Sequence, residues 1–403
     1  MVTLAEASAP AEAPSAETLI ARSKAMIPTL KARARKCVTE RNVPRESIAE
    51  MVDAGFFRVL QPKRYGGYEM HPNVFFEIQK NLAEGCMSTG WVYGVVGCHP
   101  FQLALFDDKA QQEVWGDDPD MLVSSTYQPV GKVERTEGGF YLSGTWGFSS
   151  GSVHCGWVLL GAFVPPEEEG GTVDMRTFLL PRKDYVIDED QWHTFGLQGT
   201  GSHHIIVDRV FVPEHRTHSA AASFFGNNPG YAVNDGALYQ MPWAQLFVRS
   251  VSSSAFGGAR AAIDAAIDIM QSRVSTNTKK ASKDDQVLQG AIAAAQAQTI
   301  EMEIALERQF DEIMDMMNRG ERMTLEQRAL YVYQSSTVAK RLAQLVDAMV
   351  ERLGGRAIYL SSEIIQPWLD LQAARAHVAN DPYNRSPDLV GVLVGQPPAF
   401  AFL

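Results

Sequence analysis

The residues best equipped for chemistry gather near the C-terminus, in the stretch Leu353 to Pro382, LGGRAIYLSSEIIQPWLDLQAARAHVANDP. Gly354 and Gly355 carry no Cβ, so the backbone there can approach a flat or phosphorylated ligand closely. His377 is the side chain in this stretch that can hold, give or take a proton near neutral pH. The pattern predicts a helix ending at Gly354-Gly355, then a short polar segment, then a helix from about Gln366 to Val378 that ends at His377. A loop opened by Asn380-Asp381-Pro382 follows. A histidine at a helix end is more often a cap than a catalyst, so its neighbours must decide its role.

Other constellations are weaker. His203 and His204 are adjacent on a predicted strand and point to opposite faces, so they cannot chelate one metal. His154-Cys155 is equally poor as a zinc pair, and the helical segments contain no Glu-x-x-His of the di-iron type. No GxGxxG opens a βαβ unit, and neither a Walker sequence nor a GxSxG elbow is present. A nicotinamide or ATP site within this chain is therefore not expected.

The elements that must position these residues change period twice. Thr18 to Arg41 reads as a long helix with Leu19, Met26, Ile27, Leu30 and Ala34 on one face. Pro44 begins a second helix that stops at Gly55, and PKRYGG (Pro62 to Gly67) is a turn. Asn73 to Ala83, Ser88 to Val96 and Asp107 to Trp115 are further helices. Six short segments rich in β-branched and aromatic residues follow: Met121 to Tyr127, Lys132 to Thr136, Phe140 to Phe148, Trp157 to Phe163, Arg176 to Leu180 and His203 to Val212. They predict a small antiparallel barrel or sandwich, with PPEEEGG (Pro165 to Gly171) as an exposed loop. After Pro242 the helical period returns, with Leu306, Phe310, Ile313 and Met317 on one stripe and Val338, Leu342, Leu345, Met349 and Leu353 on another. These read as a four-helix bundle interrupted by a charged loop, Lys279 to Asp285.

The fold class is thus α+β: a tail over 1–15, expected to be disordered and not a signal peptide, a helical domain over 16–120, a β domain over 121–240 and a bundle over 241–403. A net charge of −11 with no basic stripe argues against nucleic-acid or anionic-membrane partners. The four cysteines, Cys37, Cys86, Cys98 and Cys155, show neither CxxC nor metal spacing and read as reduced thiols of a cytoplasmic protein.

Several longer words carry a resemblance. GLQGTGSHHIIVDRVFVP (Gly196 to Pro213), Arg273 beyond the first long C-terminal helix, and LGGRA (Leu353 to Ala357) resemble the acyl-CoA dehydrogenase fold family from roughly Ser15 onward. The place where many such dehydrogenases carry a Tyr-Glu-Gly turn with a carboxylate base reads Ala376-His377-Val378-Ala379-Asn380-Asp381 here. ALFDDKAQQEVWGDDP (Ala104 to Pro119), SSTYQP (Ser124 to Pro129), YQMPW (Tyr239 to Trp243) and RAHVANDP (Arg375 to Pro382) are similar instead to the oxygenase components of two-component flavin monooxygenases. Within that branch the chain most resembles the phenol hydroxylases of bacterial steroid-ring degradation, and more loosely the 4-hydroxyphenylacetate hydroxylases.

The resemblance implies reduced flavin (FMN before FAD) delivered by a separate NAD(P)H-dependent reductase, O2 as co-substrate, a C4a-hydroperoxide, ortho-hydroxylation of a phenol, and a homotetramer. It also implies flavin contacts at Trp91, Ser125, Thr126, Tyr127, Phe148, Ser149, Ser150, Arg273, Gly355, Arg356, His377 and Val378. Phe and Trp offer stacking surfaces, and serine hydroxyls can bond the ring nitrogen or carbonyls. The competing reading makes Trp91 and Phe148 core residues, the serines strand-end caps and Arg273 a solvated helix end. His377 is expected to support the flavin or the phenol, with Asp381 orienting it or the loop. His99, in GCHPFQ, would be a second pocket residue within reach of the substrate hydroxyl. Other readings on the same fold are sulfur, nitrogen or indole oxidation, a true acyl-CoA dehydrogenase, and a flavin-storage scaffold.

Overall fold

The computed structural model describes residues 13–168, 170–274, 281–398 and 402–403. Most of the expected tail, part of the 279–285 loop and Glu169 lie outside the described residues. Among the described residues, no helix is long and apolar enough to cross a membrane.

Helix α1 (Ala16–Glu40) begins where the Ser15 hydroxyl accepts the Thr18 amide, buries Leu19 and Leu30, and ends at Arg41 in left-handed backbone. It is followed by α2 (Arg45–Asp53), α3 (Pro72–Gly85), α4 (Met87–Gly97), α5 (His99–Leu103) and α6 (Asp108–Trp115). Every residue of α4 is buried. Its apolar and small side chains run all round the helix, which makes it a core element.

Among the described residues the seven strands are β1 (Val123–Thr136), β2 (Gly139–Ser149), β3 (Trp157–Val164), β4 (Asp174–Pro181), β5 (Val186–Asp188), β6 (His203–Pro213) and β7 (Thr217–Ser219), in the order β5-β6-β2-β1-β3-β4-β7. Three differences from expectation have local causes. The two segments predicted over 121–136 form one strand whose ladder shifts between Thr126 and Gly131, where Pro129 has no amide to contribute. The first half of β1 pairs with β3 in parallel and the second half with β2 antiparallel, so the expected all-antiparallel sheet contains one parallel pair. The short β5 and β7 span three residues each, too few for alternation to register. The sheet core holds Leu142, Trp146, Leu160, Phe178 and Ile205, and the Trp146 indole donates to the Gly161 carbonyl at 2.9 Å.

Short helices α7 (Ala220–Phe225) and α8 (Ala237–Gln240) lead to α9 (Trp243–Ser272), buried without a break from Trp243 to Ala259. It packs against α3 and α4 as well as α10 (Gln286–Asn318), α11 (Leu325–Leu353) and α12 (Ile365–Ala374), so it joins the N-terminal helices to the bundle. Gly257 permits this approach, since a Cβ there would lie 2.3 Å from the Lys80 carbonyl. Three serines of α9 are satisfied along the helix itself, Ser250 by the Phe247 carbonyl at 2.7 Å and Ser252 and Ser253 by the Arg249 carbonyl at 3.0 and 2.9 Å. The stripes expected on α10 and α11 are buried, except that Leu345 is half-exposed, and α13 (Pro382–Leu393) closes against α11.

The helix expected over Gln366 to Val378 is shorter. It stops at Ala374, and His377 instead caps a separate turn at Val378–Asn380 by accepting the Ala379 amide at 3.1 Å. Asn380 holds this break open: its buried amide donates to the Val251 carbonyl at 3.0 Å and the Ala374 carbonyl at 2.9 Å.

Candidate active site

A first cluster forms where α4, the end of β2, the turn before β6 and the turn after α12 meet. The Trp91 indole N–H donates to the Ser150 hydroxyl at 3.2 Å, and the His377 ring stands edge-on to Trp91 at 5.5 Å. Ser150 Oγ lies 2.6 Å from Ser202 Oγ, Ser202 Oγ lies 2.7 Å from Thr200 Oγ1, and Thr200 donates to the Leu197 carbonyl at 2.8 Å. The loop carrying Leu197 and Thr200 is pinned from α12, where Asp370 accepts the Leu197 amide and the Gln366 amide, both at 2.7 Å. Gly196 makes that closeness feasible, because a Cβ there would fall 2.1 Å from the Leu369 carbonyl. Burial raises the Asp370 carboxyl to about 6 against these two donors.

His377 Nδ1 accepts a backbone amide, so in the neutral ring the proton sits on Nε2, which is left as a donor. Burial, aided by Arg385, lowers its pKa to about 4, so the ring is neutral at pH 7. Phe148, two residues before Ser150, is 59% exposed in left-handed backbone (φ 65), with its ring 5.9 Å from Trp192. Val378, beside His377, is 65% exposed. Trp91 is therefore buried as the core reading holds, whereas Phe148 is not.

A second cluster surrounds His99, at the start of α5 and fully buried. Its Nδ1 lies 2.7 Å from the Val123 carbonyl, which can only accept, so Nδ1 carries the proton. Nε2 is then an acceptor and takes the Ser125 hydroxyl proton at 2.9 Å. Burial lowers this imidazole to about 4 as well. Aromatic walls enclose the pair: Tyr127 at 6.4 Å and Trp243 at 6.5 Å from the His99 ring, Phe247 at 5.1 Å from Tyr127, and Phe402 at 5.7 Å from Phe247. The Tyr127 hydroxyl donates to Gln102. Strand β1 serves both clusters with successive residues, because Ser124 accepts from Ser149 at 3.3 Å while Ser125 bonds His99. Thr126 is held by the Gly147 carbonyl at 2.7 Å and ties β1 to β2 between them.

A third group lies at the end of α11. Arg273 donates to the Leu353 carbonyl beside the Gly354–Arg356 turn, so residues 80 apart meet there. A Cβ on Gly355 would face open space. This places a guanidinium and a second arginine at an open turn, an arrangement that can hold a phosphate. The Asp381 carboxylate accepts the Tyr383 amide at 3.0 Å and caps α13, which orders the loop after His377.

Sequence reasoning missed Ser202, Thr200 and Asp370 as site members, although the first two end the GLQGTGS word. Among the described residues, no group of three or more His, Cys, Asp or Glu could hold a metal. What the first cluster offers is an apolar platform with a donor at His377 and an acceptor at Ser150. Those features fit a flat heteroaromatic ring with a polar edge, such as a flavin.

The acyl-CoA dehydrogenase N-terminal domain matches residues 24–117, and the acyl-CoA dehydrogenase C-terminal domain matches residues 250–382. The chain is 35% identical over 365 residues to the flavin-dependent monooxygenase oxygenase subunit HsaA of Rhodococcus jostii (strain RHA1), covering 90% of this chain and 94% of that one. It is 29% identical over 414 residues to the oxygenase component of the FADH(2)-dependent resorcinol hydroxylase of Rhizobium sp. (strain MTP-10005), covering 98% and 97%. The crystal structure of 3-HSA hydroxylase from Rhodococcus sp. RHA1 superposes with a TM-score of 0.90 at 33% identity, covering 96% of this chain and 99% of that chain.

Proposed function

Since this chain belongs to the acyl-CoA dehydrogenase family, in its branch of flavin-dependent monooxygenase oxygenase subunits, we propose that it uses reduced flavin and O2 to hydroxylate a phenol ortho to its hydroxyl. The observation that carries this reading is the His99–Ser125 pair, a buried neutral imidazole whose accepting nitrogen stands behind a half-exposed hydroxyl inside an aromatic pocket. Bound reduced flavin supplies the electrons that activate O2, so that one oxygen atom reaches the aromatic ring and the other leaves as water.

The protein's residues do the rest. The phenolic O–H donates to Ser125 Oγ, which passes its own proton to His99 Nε2, while the Nδ1–H bond to Val123 steadies the imidazolium that forms. The buried imidazole, lowered to about 4, is a far weaker base than a phenolate, so complete transfer is uphill in the resting complex. The pair therefore polarises the phenol, and the proton moves only as oxygen is delivered and the ring becomes more acidic. Trp91 and Phe148 would flank the flavin ring, Ser150 and His377 would bond its polar edge, and Ser149, Thr126, Tyr127 and Val378 would shape and dry the space between the two rings. Arg273, Gly355 and Arg356 would receive the phosphate. Asp381 caps α13 through the Tyr383 amide and orders the loop that follows His377.

Reduced FMN is the first choice of flavin and FAD the second, and a separate NAD(P)H-dependent reductase supplies it. Four buried free thiols support a reducing, cytoplasmic setting. Exposed Ile300 and Ile304 on α10 support packing of the bundles into a homotetramer. Anaerobic protein with reduced FMN or FAD, mixed with O2 and a panel of phenols and followed by product detection, tests the reading. A catechol formed in step with oxygen uptake is expected. Oxygen uptake that yields only hydrogen peroxide with every phenol, or turnover of an acyl thioester without O2, overturns it.

A further inference from the structure

The hydrogen bonds around Ser150 have directions that follow from which groups can only give and which can only take. The Trp91 indole nitrogen can only donate, so it occupies one lone pair of Ser150 Oγ. The Leu197 carbonyl can only accept, so the Thr200 proton points to it. Thr200 Oγ1 must then accept from Ser202, and Ser202 must accept from Ser150. All three hydroxyl residues are buried, and the terminal carbonyl is held in place by Asp370 on the neighbouring amide. Ser150 is left with no free proton and one free lone pair.

We propose that Thr200 and Ser202 are positioning residues that make Ser150 an obligate acceptor and thereby select reduced over oxidised flavin. The inference rests on the flavin assignment above. A reduced flavin presents an N–H at its central ring nitrogen, which an acceptor-only Ser150 can bond. The oxidised ring presents a lone pair there, which would face the Ser150 lone pair with neither partner able to donate. Product flavin would then leave once it is oxidised, and the reductase's product would be taken up in preference. A free serine rotor would bond either state, so the selection comes from the two residues behind Ser150.

The test is the pair of dissociation constants, reduced flavin under anaerobic conditions and oxidised flavin in air, for wild type, Thr200→Val, Thr200→Ser and Ser202→Ala. Thr200→Val removes the group that takes the Ser202 proton, which lets Ser202 donate to Ser150 and lets Ser150 turn its proton to the ligand. The reduced-to-oxidised preference is expected to fall by about tenfold or more, mainly through tighter oxidised-flavin binding. Thr200→Ser, which keeps the hydroxyl, should retain the wild-type preference, and Ser202→Ala should lose it as Thr200→Val does. Equal weakening of both redox states, or an unchanged ratio in both Thr200→Val and Ser202→Ala, overturns the selection mechanism. Wild-type protein that binds neither flavin overturns the flavin assignment itself, and this inference with it.

Discussion

Replacing Asp370 by Asn tests whether the loop behind the site is held by a carboxylate under electrostatic load. Asp370 is buried in α12, and both of its hydrogen bonds, from the Leu197 amide and from Gln366, go to Oδ1. An Asn oxygen in the same place keeps both. Burial lifts the folded pKa to about 6 from an ordinary 3.8, so the folded state binds this proton more tightly than the unfolded chain. The stability this group contributes is full below the unfolded value and is lost as pH rises through about 6. The difference of about 2 between the two pKa values, at 1.36 kcal/mol each, amounts to about 3 kcal/mol above that range. Roughly 1.4 kcal/mol of it falls between pH 5 and pH 8. Urea unfolding of both proteins at those two pH values, followed by tryptophan fluorescence, isolates the group because other titrations are common to both. Asp370→Asn should gain on wild type by roughly 1.4 kcal/mol between the two conditions. A difference that stays constant, or that favours wild type at pH 8, refutes the burial argument.

Three further outcomes follow from the site. His377→Asp keeps an N-cap acceptor but removes the Nε2 donor. It should fold normally yet release hydrogen peroxide in place of product, as should His377→Ala with a further loss of about 1 kcal/mol of stability; unchanged coupling of oxygen use to product in both variants would reduce His377 to a cap. His99→Ala should lower hydroxylation by about 100-fold or more while reduced-flavin binding persists, and the His99 and His377 ring protons should show no titration by NMR between pH 5 and pH 8, with protonation only as pH falls toward about 4. Arg273→Ala should weaken phosphate-bearing flavins by about tenfold while leaving riboflavin binding unchanged, and equal loss for both would remove the phosphate role.

Local chemistry made much of this protein readable in one dimension. The stripe from Leu306 to Met317, the β-branched runs and the PKRYGG turn each reflect a periodicity or a turn requirement acting over a few residues, and the helices α10 and α11, the main strands and that turn stand where they were expected. Trp91, Ser150, His99 and His377 were marked by residue type and by resemblance. Their division of labour was not, because it depends on partners far along the chain. Leu197 meets Asp370 across 173 positions and Arg273 meets Leu353 across 80. The length of β1 and its parallel pairing came from the sheet closing around it, and His377 left its helix because Asn380 found buried carbonyl partners on α9 and α12. Which nitrogen of each histidine holds the proton, and which way the Ser150 hydroxyl points, was likewise decided only by packing. A sequence specifies how many protons and lone pairs each side chain has, but only burial among chosen neighbours determines which of them remain free for a ligand.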